Sequence, residues 1–201
     1  MTLLLATGNH GKLRDFRGME PELTVVLLPG FGALPPIEED GATFLENARK
    51  KAEHYSRFAD GPVLADDSGL EVDALGGAPG VHSARFAGRH GDDEANNALL
   101  LARLQGMREE ARTARFVCVL ALAHSGVTLA TFRAVAEGRI LTAPRGGYGF
   151  GYDPLFFSPE AGCGFAEIPP EHKAQFSHRG RAVRELLGWA QHHPGTEASL
   201  E

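Results

Sequence analysis

The residues best suited to chemistry are two neighbouring aspartates, Asp66 and Asp67. They follow a short apolar run at residues 62–65, which predicts a buried strand, and α/β proteins place ligands at strand ends. Adjacent carboxylates repel each other unless a cation or a hydrogen-bond network lies nearby. Mg²⁺ prefers such oxygen ligands and takes one or two carboxylates plus substrate phosphates. A metal site is therefore one interpretation and a solvated acidic turn is the other; in a strand the two side chains would face opposite ways, leaving one as a direct ligand.

A second source of carboxylates is the run Glu38-Glu39-Asp40, within a loop rich in proline and glycine at residues 29–41. Three consecutive acids are usually a solvated loop. The run becomes relevant to chemistry only if it supplies a second carboxylate to the same metal.

The segment Thr7-Gly8-Asn9-His10-Gly11-Lys12 follows an apolar strand pattern and leads into a predicted helix from about Lys12. Backbone N–H groups at a helix start, with a lysine nearby, suit an anion. The spacing of a Walker motif is absent. An anion site and an ordinary glycine turn both remain open.

Aromatic residues alternate with glycines at residues 146–154, which suits stacking on a flat ligand such as a nucleobase. Lys173 and the run Ser177-His178-Arg179 precede the last predicted helix, where they could neutralise phosphates or donate to a carbonyl. The alternatives are aromatic rings that pack inward in the first segment and an ordinary basic helix start in the second. Taken together, the segments indicate a ligand with a flat ring, a polyphosphate and a divalent metal.

The elements that must position these residues follow a mixed α/β order. Strands are predicted at residues 3–6, 23–28, 62–65, 116–123, 127–137 and 155–157, and helices from about 12 and over 43–58, 94–104 and 181–192. Ser125-Gly126 predicts a hairpin turn, and Thr43 with Glu46 fits a capping box. We expect a single domain over residues 1–192 and a frayed tail over 193–201.

Composition excludes several classes. The 201 residues carry a formal charge of −6, which disfavours binding to a nucleic-acid polymer. The 25 glycines exceed ordinary usage and concentrate at residues 61–91 and 138–164, without a collagen period. Two cysteines, Cys118 and Cys163, favour a reducing compartment over a disulfide. No signal peptide or membrane span is expected, so a cytoplasmic protein is predicted.

With these segments, the chain resembles the family of non-standard purine nucleoside triphosphate pyrophosphatases, which act on dITP, ITP and XTP. The similarity spans residues 6–179 in family order, and the set is far more specific than any one motif. Its segments are Ala6-Thr7-Gly8-Asn9 with Lys12, Thr43-Phe44 with Glu46-Asn47-Ala48 and Lys51-Ala52, residues 65–70 with 72–75, Gly77-Ala78-Pro79-Gly80-Val81 with Ser83-Ala84-Arg85-Phe86, residues 149–154, and Ser177-His178-Arg179.

The resemblance implies an elongated mixed sheet with flanking helices, in two lobes around a central nucleotide-binding cleft, and a homodimer. It implies Mg²⁺-dependent hydrolysis of dITP, ITP and XTP or dXTP to the monophosphate and pyrophosphate, which removes deaminated purines from the nucleotide pool.

The site residues are assigned on the same resemblance. Asp67 is the general base and a metal ligand, and Glu38 is the second metal carboxylate, ahead of Glu39 and Asp66. Lys12, Lys51 and Lys173 offset the triphosphate charge, and Ser68 contacts the substrate. The remaining substrate-binding residues are Thr7, Gly8, Asn9, His10 and Gly11 for phosphate, Phe150 for stacking on the base, with Gly151 and Tyr152 beside it, and Asp153, His178 and Arg179 for the base edge.

Three other functions stay open at the level of sequence. One is a related pyrophosphatase for modified pyrimidine triphosphates. Another is a nucleotide-binding regulator without catalysis, although a pure phosphate binder gains little from paired acids. The third is a structural domain whose glycines serve only turns.

Overall fold

The computed structural model describes residues 1–17 and 19–194. Its strands are β1 (Thr2–Leu5), β2 (Thr24–Leu27), β3 (Val63–Val72), β4 (Thr113–His124), β5 (Val127–Ile140), β6 (Phe156–Ser158) and β7 (Cys163–Gly164). Its α-helices are α1 (His10–Phe16), α2 (Phe44–Tyr55), α3 (Asp93–Arg103), α4 (Pro170–Phe176) and α5 (His178–Ala190). Short 3-10 helices lie at Phe31–Ala33, Ser56–Phe58, Asp73–Leu75, Gly80–Arg85, Glu109–Ala111, Asp153–Leu155 and Phe165–Glu167.

The seven strands of the described chain form one sheet in the order β2-β1-β3-β4-β5-β6-β7. β1 is parallel to both β2 and β3, whereas β6 is antiparallel to β5 and β7. The sheet is therefore mixed, and the predicted α/β class with flanking helices is confirmed.

Chain contacts divide the protein into two compact units. The first comprises Met1–Asp67, Cys118–Ala134 and the chain from Arg179 onward. The second comprises Ser68–Val117 and Val135–His178. The single domain over 1–192 stays a prediction, and most of the predicted frayed tail, at 195–201, lies outside the described residues.

Each unit has its own apolar core. In the first, Phe16 of α1 and Leu186 of α5 pack with Leu3, Leu64 and Leu120 of the strands. Tyr55 of α2 packs with Leu4 and Val63 in a smaller cluster of the same unit. In the second unit, the core residues from α3 and its C-cap, β3, β4 and the chain beyond β5 are Leu70, Val72, Leu100, Leu104, Phe116, Phe156 and Phe165.

Local sequence accounts for the elements that were predicted. Thr43 Oγ1 accepts from Glu46 N, and the Glu46 carboxylate accepts from Thr43 N in return, which completes the capping box of α2. Ser125 and Gly126 both have positive φ, 49° and 83°, as the tight hairpin turn between β4 and β5 requires. The strand starting at residue 63 is longer than predicted. It continues through Asp66 and Asp67 to Val72 instead of ending in a turn.

Within the described ranges, no helix is both long enough and apolar enough to cross a membrane.

Candidate active site

Asp66 and Asp67 lie inside β3, and both are buried, with 3% and 7% of their surface exposed. The alternative interpretation, a solvated acidic turn, is therefore wrong. The strand continues because Leu70 and Val72 beyond the aspartates are fully buried core residues. Since side chains alternate along a strand, the two carboxylates point to opposite faces of the sheet. They consequently have different environments.

Asp66 is held by cations. Its Oδ1 accepts from Lys12 Nζ at 2.6 Å and its Oδ2 from Arg179 Nε at 2.7 Å. The Cys118 thiol also donates to Oδ2, at 3.7 Å. Burial raises the pKa of Asp66, but Arg179 and Lys12 outweigh it, so the pKa lies well below its usual value. Asp66 is therefore charged at neutral pH and fixes Lys12 and Arg179.

Asp67 has a weaker set of partners. Its Oδ1 accepts from Lys51 Nζ at 3.1 Å, and its buried Oδ2 has no hydrogen-bond partner among the described residues. Burial raises the pKa of Asp67, and the charge of Glu39 adds to this, against the opposing effect of Lys51 and Lys12. A buried carboxylate oxygen without a donor is costly, and a cation or a water molecule would satisfy it.

Lys51 joins the two acidic segments. Its ammonium donates to Glu39 Oε2 at 2.9 Å and to the Asp66 carbonyl at 2.8 Å, in addition to Asp67. Burial lowers the pKa of Lys51, but Asp67 and Glu39 raise it by more, so the lysine stays charged. The same lysine lowers the pKa of Glu39 against the opposing effect of burial.

Glu39, and not its neighbour Glu38, reaches this cluster. Glu38 is exposed to solvent. The loop that carries both is tied to α2 through the Asp40–Lys50 ion pair and a 2.8 Å bond from Gly41 N to Asn47 Oδ1. Asn47 is itself buried, so the loop is anchored at a fixed point of the helix.

The cluster contains cations and carboxylates together. Arg179 also donates to Asp15 Oδ2 at 2.5 Å, which adds a fourth carboxylate. A site for a bare polyphosphate would need an excess of cations. Carboxylates alternate with the cations in this cluster, so a further cation would favour binding of a triphosphate here. The members are Lys12, Lys51, Arg179, Asp15, Glu39, Asp66 and Asp67.

The predicted phosphate segment lies at the start of α1, in the same unit. Asn9 caps the helix through a 3.0 Å bond from Lys12 N to its Oδ1, and Thr7 Oγ1 accepts from Asn9 N at 3.1 Å. Gly8, Asn9 and His10 are exposed and Gly11 is buried. The structure thus brings Lys12 together with the two aspartates and leaves the preceding turn accessible.

The second unit contains the predicted base-binding residues other than Arg179. Phe150 N donates to Asp153 Oδ2 at 3.0 Å, and Lys173 Nζ donates to the same oxygen at 2.5 Å. Asp153 and Lys173 are both buried, so the lysine in this structure neutralises a carboxylate. Its ammonium also lies 5.7 Å from the centre of the Phe150 ring.

Three further predicted residues are placed in or beside the core of the second unit. The hydroxyl of buried Tyr152 donates to the Ser83 carbonyl at 2.9 Å. The buried His178 ring stacks on Phe116 at 4.7 Å between centres, with an interplanar angle of 10°. Ser68, on β3, is half-buried. Arg179 follows His178 in the chain but belongs to the first unit, with Asp66.

Gly149→Ala tests the packing of the aromatic loop, residues 146–154. Gly149 has φ +77°, and a Cβ there would lie 2.0 Å from Asp153 Oδ2. We expect a loss of about 2 kcal/mol in the free energy of unfolding, from strain and displacement of the Asp153 carboxylate. Denaturant unfolding measures it. The matched control is Gly147→Ala, where a Cβ meets nothing within 4 Å; equal effects of both variants would contradict this account of the loop.

Sequence reasoning missed several members of the site. Asp15 was not considered, although it stands three residues after Lys12 on α1 and so shares its face. Cys118 was assigned only to the core, and α4 was not predicted although Pro169-Pro170 marks a helix start. Among the described residues, no group of three or more His, Cys, Asp and Glu side chains is arranged to hold a metal.

Fold and site together define an α/β protein with a buried acid–lysine cluster on a central strand of its sheet. The chain belongs to the Ham1 family, whose profile matches residues 3–189. This agrees with the family predicted from the motifs.

Known proteins similar to this chain include dITP/XTP pyrophosphatases. That of Syntrophobacter fumaroxidans is 54% identical over 186 residues, covering 92% of this chain and 79% of that protein. One from Thermus thermophilus is 52% identical over 189 residues, covering 93% and 90%. Among solved structures, the Staphylococcus aureus Ham1 protein has a TM-score of 0.83 at 36% identity, covering 96% of this chain and 100% of that one. A HAM1 protein from Coxiella burnetii has a TM-score of 0.82 at 38% identity, with coverage of 96% and 99%.

Proposed function

We propose that this protein hydrolyses the non-standard purine nucleoside triphosphates dITP, ITP, XTP and dXTP to the nucleoside monophosphate and pyrophosphate. It would thereby remove deaminated purines from the nucleotide pool. Relatives with this activity in their names are about half identical to the chain over most of its length. The observation that carries the proposal is the buried Oδ2 of Asp67, which has no hydrogen-bond partner in the described part of the chain and lies next to Lys51 and Glu39.

The carboxylate oxygens at Asp67 and Glu39 fit a divalent cation, for which we propose Mg²⁺. Asp67 Oδ2 receives no hydrogen bond from any residue that the structure describes, and Glu39 accepts a hydrogen bond from Lys51, as Asp67 does. Two protein carboxylates suffice, because Mg²⁺ completes its shell with water and substrate phosphates. We therefore place the second metal carboxylate at Glu39 instead of Glu38. A bound magnesium ion would supply positive charge to the triphosphate and to the attacking water.

The side chains of the first unit then have distinct roles. Asp67, whose pKa is raised by burial, orients and deprotonates the water that attacks the α-phosphorus. Lys12 and Lys51 stabilise the charge that grows on the pyrophosphate as it leaves. Thr7 to Gly11 contact the phosphates beside Lys12. Asp66 takes no part in the chemistry; it holds Lys12 and Arg179 in place.

In the second unit, Phe150 stacks on the purine, with Gly151 and Tyr152 supporting the loop. Asp153 and His178, with Lys173 beside Asp153, contact the substrate, and Ser68 contacts it from β3. His178 donates to the 6-oxo group that hypoxanthine and xanthine carry. Adenine presents an amino donor at that position, so a buried donor would be left unpaired at a cost of about 1–3 kcal/mol.

A panel of nucleotides with product detection tests this proposal. We expect ITP, dITP and XTP to yield pyrophosphate, with ATP turned over at least about tenfold more slowly because of the unpaired donor. Chelation of divalent cations with EDTA should abolish turnover, and added Mg²⁺ should restore it. Orthophosphate as the product would contradict the reaction, and faster turnover of TTP than of ITP would favour a pyrimidine substrate.

The proposal includes a cytoplasmic homodimer. Light scattering in solution should then give twice the chain mass of 21.5 kDa. A mass of one chain at working concentration would contradict the dimer while leaving the reaction untouched.

A further inference from the structure

The aromatic loop has a second set of contacts, on the side of Gly151. Gly151 N donates to Asp93 Oδ2 at 2.7 Å, and Asn97 Nδ2 donates to Gly151 O at 2.8 Å. Asp93 and Asn97 are four residues apart on α3, so they lie on the same face of that helix. One helix face therefore binds both polar groups of a single glycine.

The position of that glycine matters because it adjoins Phe150. Gly149 and Gly151, on either side of Phe150, have positive φ of 77° and 61°. Glycine is the residue with the greatest backbone freedom, so contacts that hold the flanking peptides from outside restrict the position of the ring. Asp153 holds the Phe150 N–H, and the α3 pair holds Gly151.

We propose that Asp93 and Asn97 are positioning residues that fix the Phe150 ring for stacking on the base. This inference rests on the proposed function, in which Phe150 binds the purine. A ring held in its binding orientation avoids an ordering cost on association. Loss of the pair should therefore weaken binding of the base, while the acids and lysines of the first unit, which act on the phosphates, are untouched.

Kinetics with a matched control test the role. Asp93→Ala should raise KM for ITP about fivefold to tenfold, the size of one lost hydrogen bond, with kcat within about twofold. Asp93→Asn, which keeps an acceptor oxygen, should recover most of the loss. The control is Glu94→Ala, an exposed acid in the same first helical turn. Asn97→Ala should act in the same direction as Asp93→Ala.

A ligand without a base separates positioning from general damage. Tripolyphosphate should inhibit wild type and Asp93→Ala with the same inhibition constant. An unchanged KM in Asp93→Ala, or an inhibition constant that rises by the same factor as KM, would overturn the inference.

Amide hydrogen exchange at Gly151 makes the two proposals separable. Exchange in the ligand-free protein should be faster in Asp93→Ala than in wild type and Glu94→Ala, whether or not the protein hydrolyses ITP. If Gly151 exchanges faster in Asp93→Ala but the wild-type protein does not hydrolyse ITP, the proposed function would be refuted, whereas the contact between Asp93 and Gly151 would be supported. An active wild type with unchanged exchange in Asp93→Ala would refute the positioning role alone.

Discussion

Asp67→Asn is expected to lower kcat/KM for ITP by about a thousandfold, the usual contribution of a positioned general base. The amide keeps the shape of the side chain but removes its charge and its ability to accept a proton. The substitution removes Oδ2, the oxygen that has no partner among the described residues, from the proposed reaction. Steady-state kinetics at saturating Mg²⁺ measure the effect.

The control for this variant is Asp60→Asn, an exposed aspartate of the same unit. It should retain wild-type kinetics. Circular dichroism and thermal unfolding should show both variants folded. Near-full activity in folded Asp67→Asn would remove Asp67 from its proposed role.

Asp66→Asn is expected to lower the free energy of unfolding by about 3–5 kcal/mol, the cost of breaking a buried ion pair from one side. Lys12 and Arg179 approach different oxygens of this carboxylate. Either orientation of an amide therefore turns its NH₂ group toward one of the two cations. Chemical denaturation in EDTA measures the change.

Asp67→Asn is the matched control for Asp66→Asn. Because burial raises the pKa of Asp67, its charged form opposes folding in the metal-free protein, and Asp67→Asn should cause no comparable loss. Equal destabilisation by the two variants would contradict the different environments assigned to the two aspartates.

The stability effect of Asp66 should depend on pH. The folded pKa is depressed, so the contribution of Asp66 is complete above the unfolded value and lost as the pH falls through the folded one. The difference between wild type and Asp66→Asn should therefore be constant above about pH 5 and shrink below about pH 4. A difference that grows on acidification would contradict the ion pair.

The sequence was most informative where a pattern is local. The capping box at Thr43, the hairpin turn at Ser125-Gly126 and the apolar strands were all predicted from neighbouring residues, and all are present. The family motifs also led to the correct family. Such signals depend on a few adjacent side chains and need no knowledge of the fold.

Partners distant in sequence could not be predicted in the same way. The sequence around Asp66 was compatible with a turn. A buried strand with two aspartates is stable only if cations reach it, and these cations, Lys12, Lys51 and Arg179, lie far away in the sequence. Similarly, the ion pair of Lys173 with Asp153, 20 residues earlier, could not be predicted from neighbouring residues. The distinction between Glu38 and Glu39 required the position of Lys51.

The most direct test of the central claim is hydrolysis of ITP in water enriched in heavy oxygen, with mass analysis of both products. We predict that the label enters the phosphate of IMP, because Asp67 directs water to the α-phosphorus, and that unlabelled pyrophosphate is released. Label in pyrophosphate, or release of orthophosphate, would contradict this mechanism.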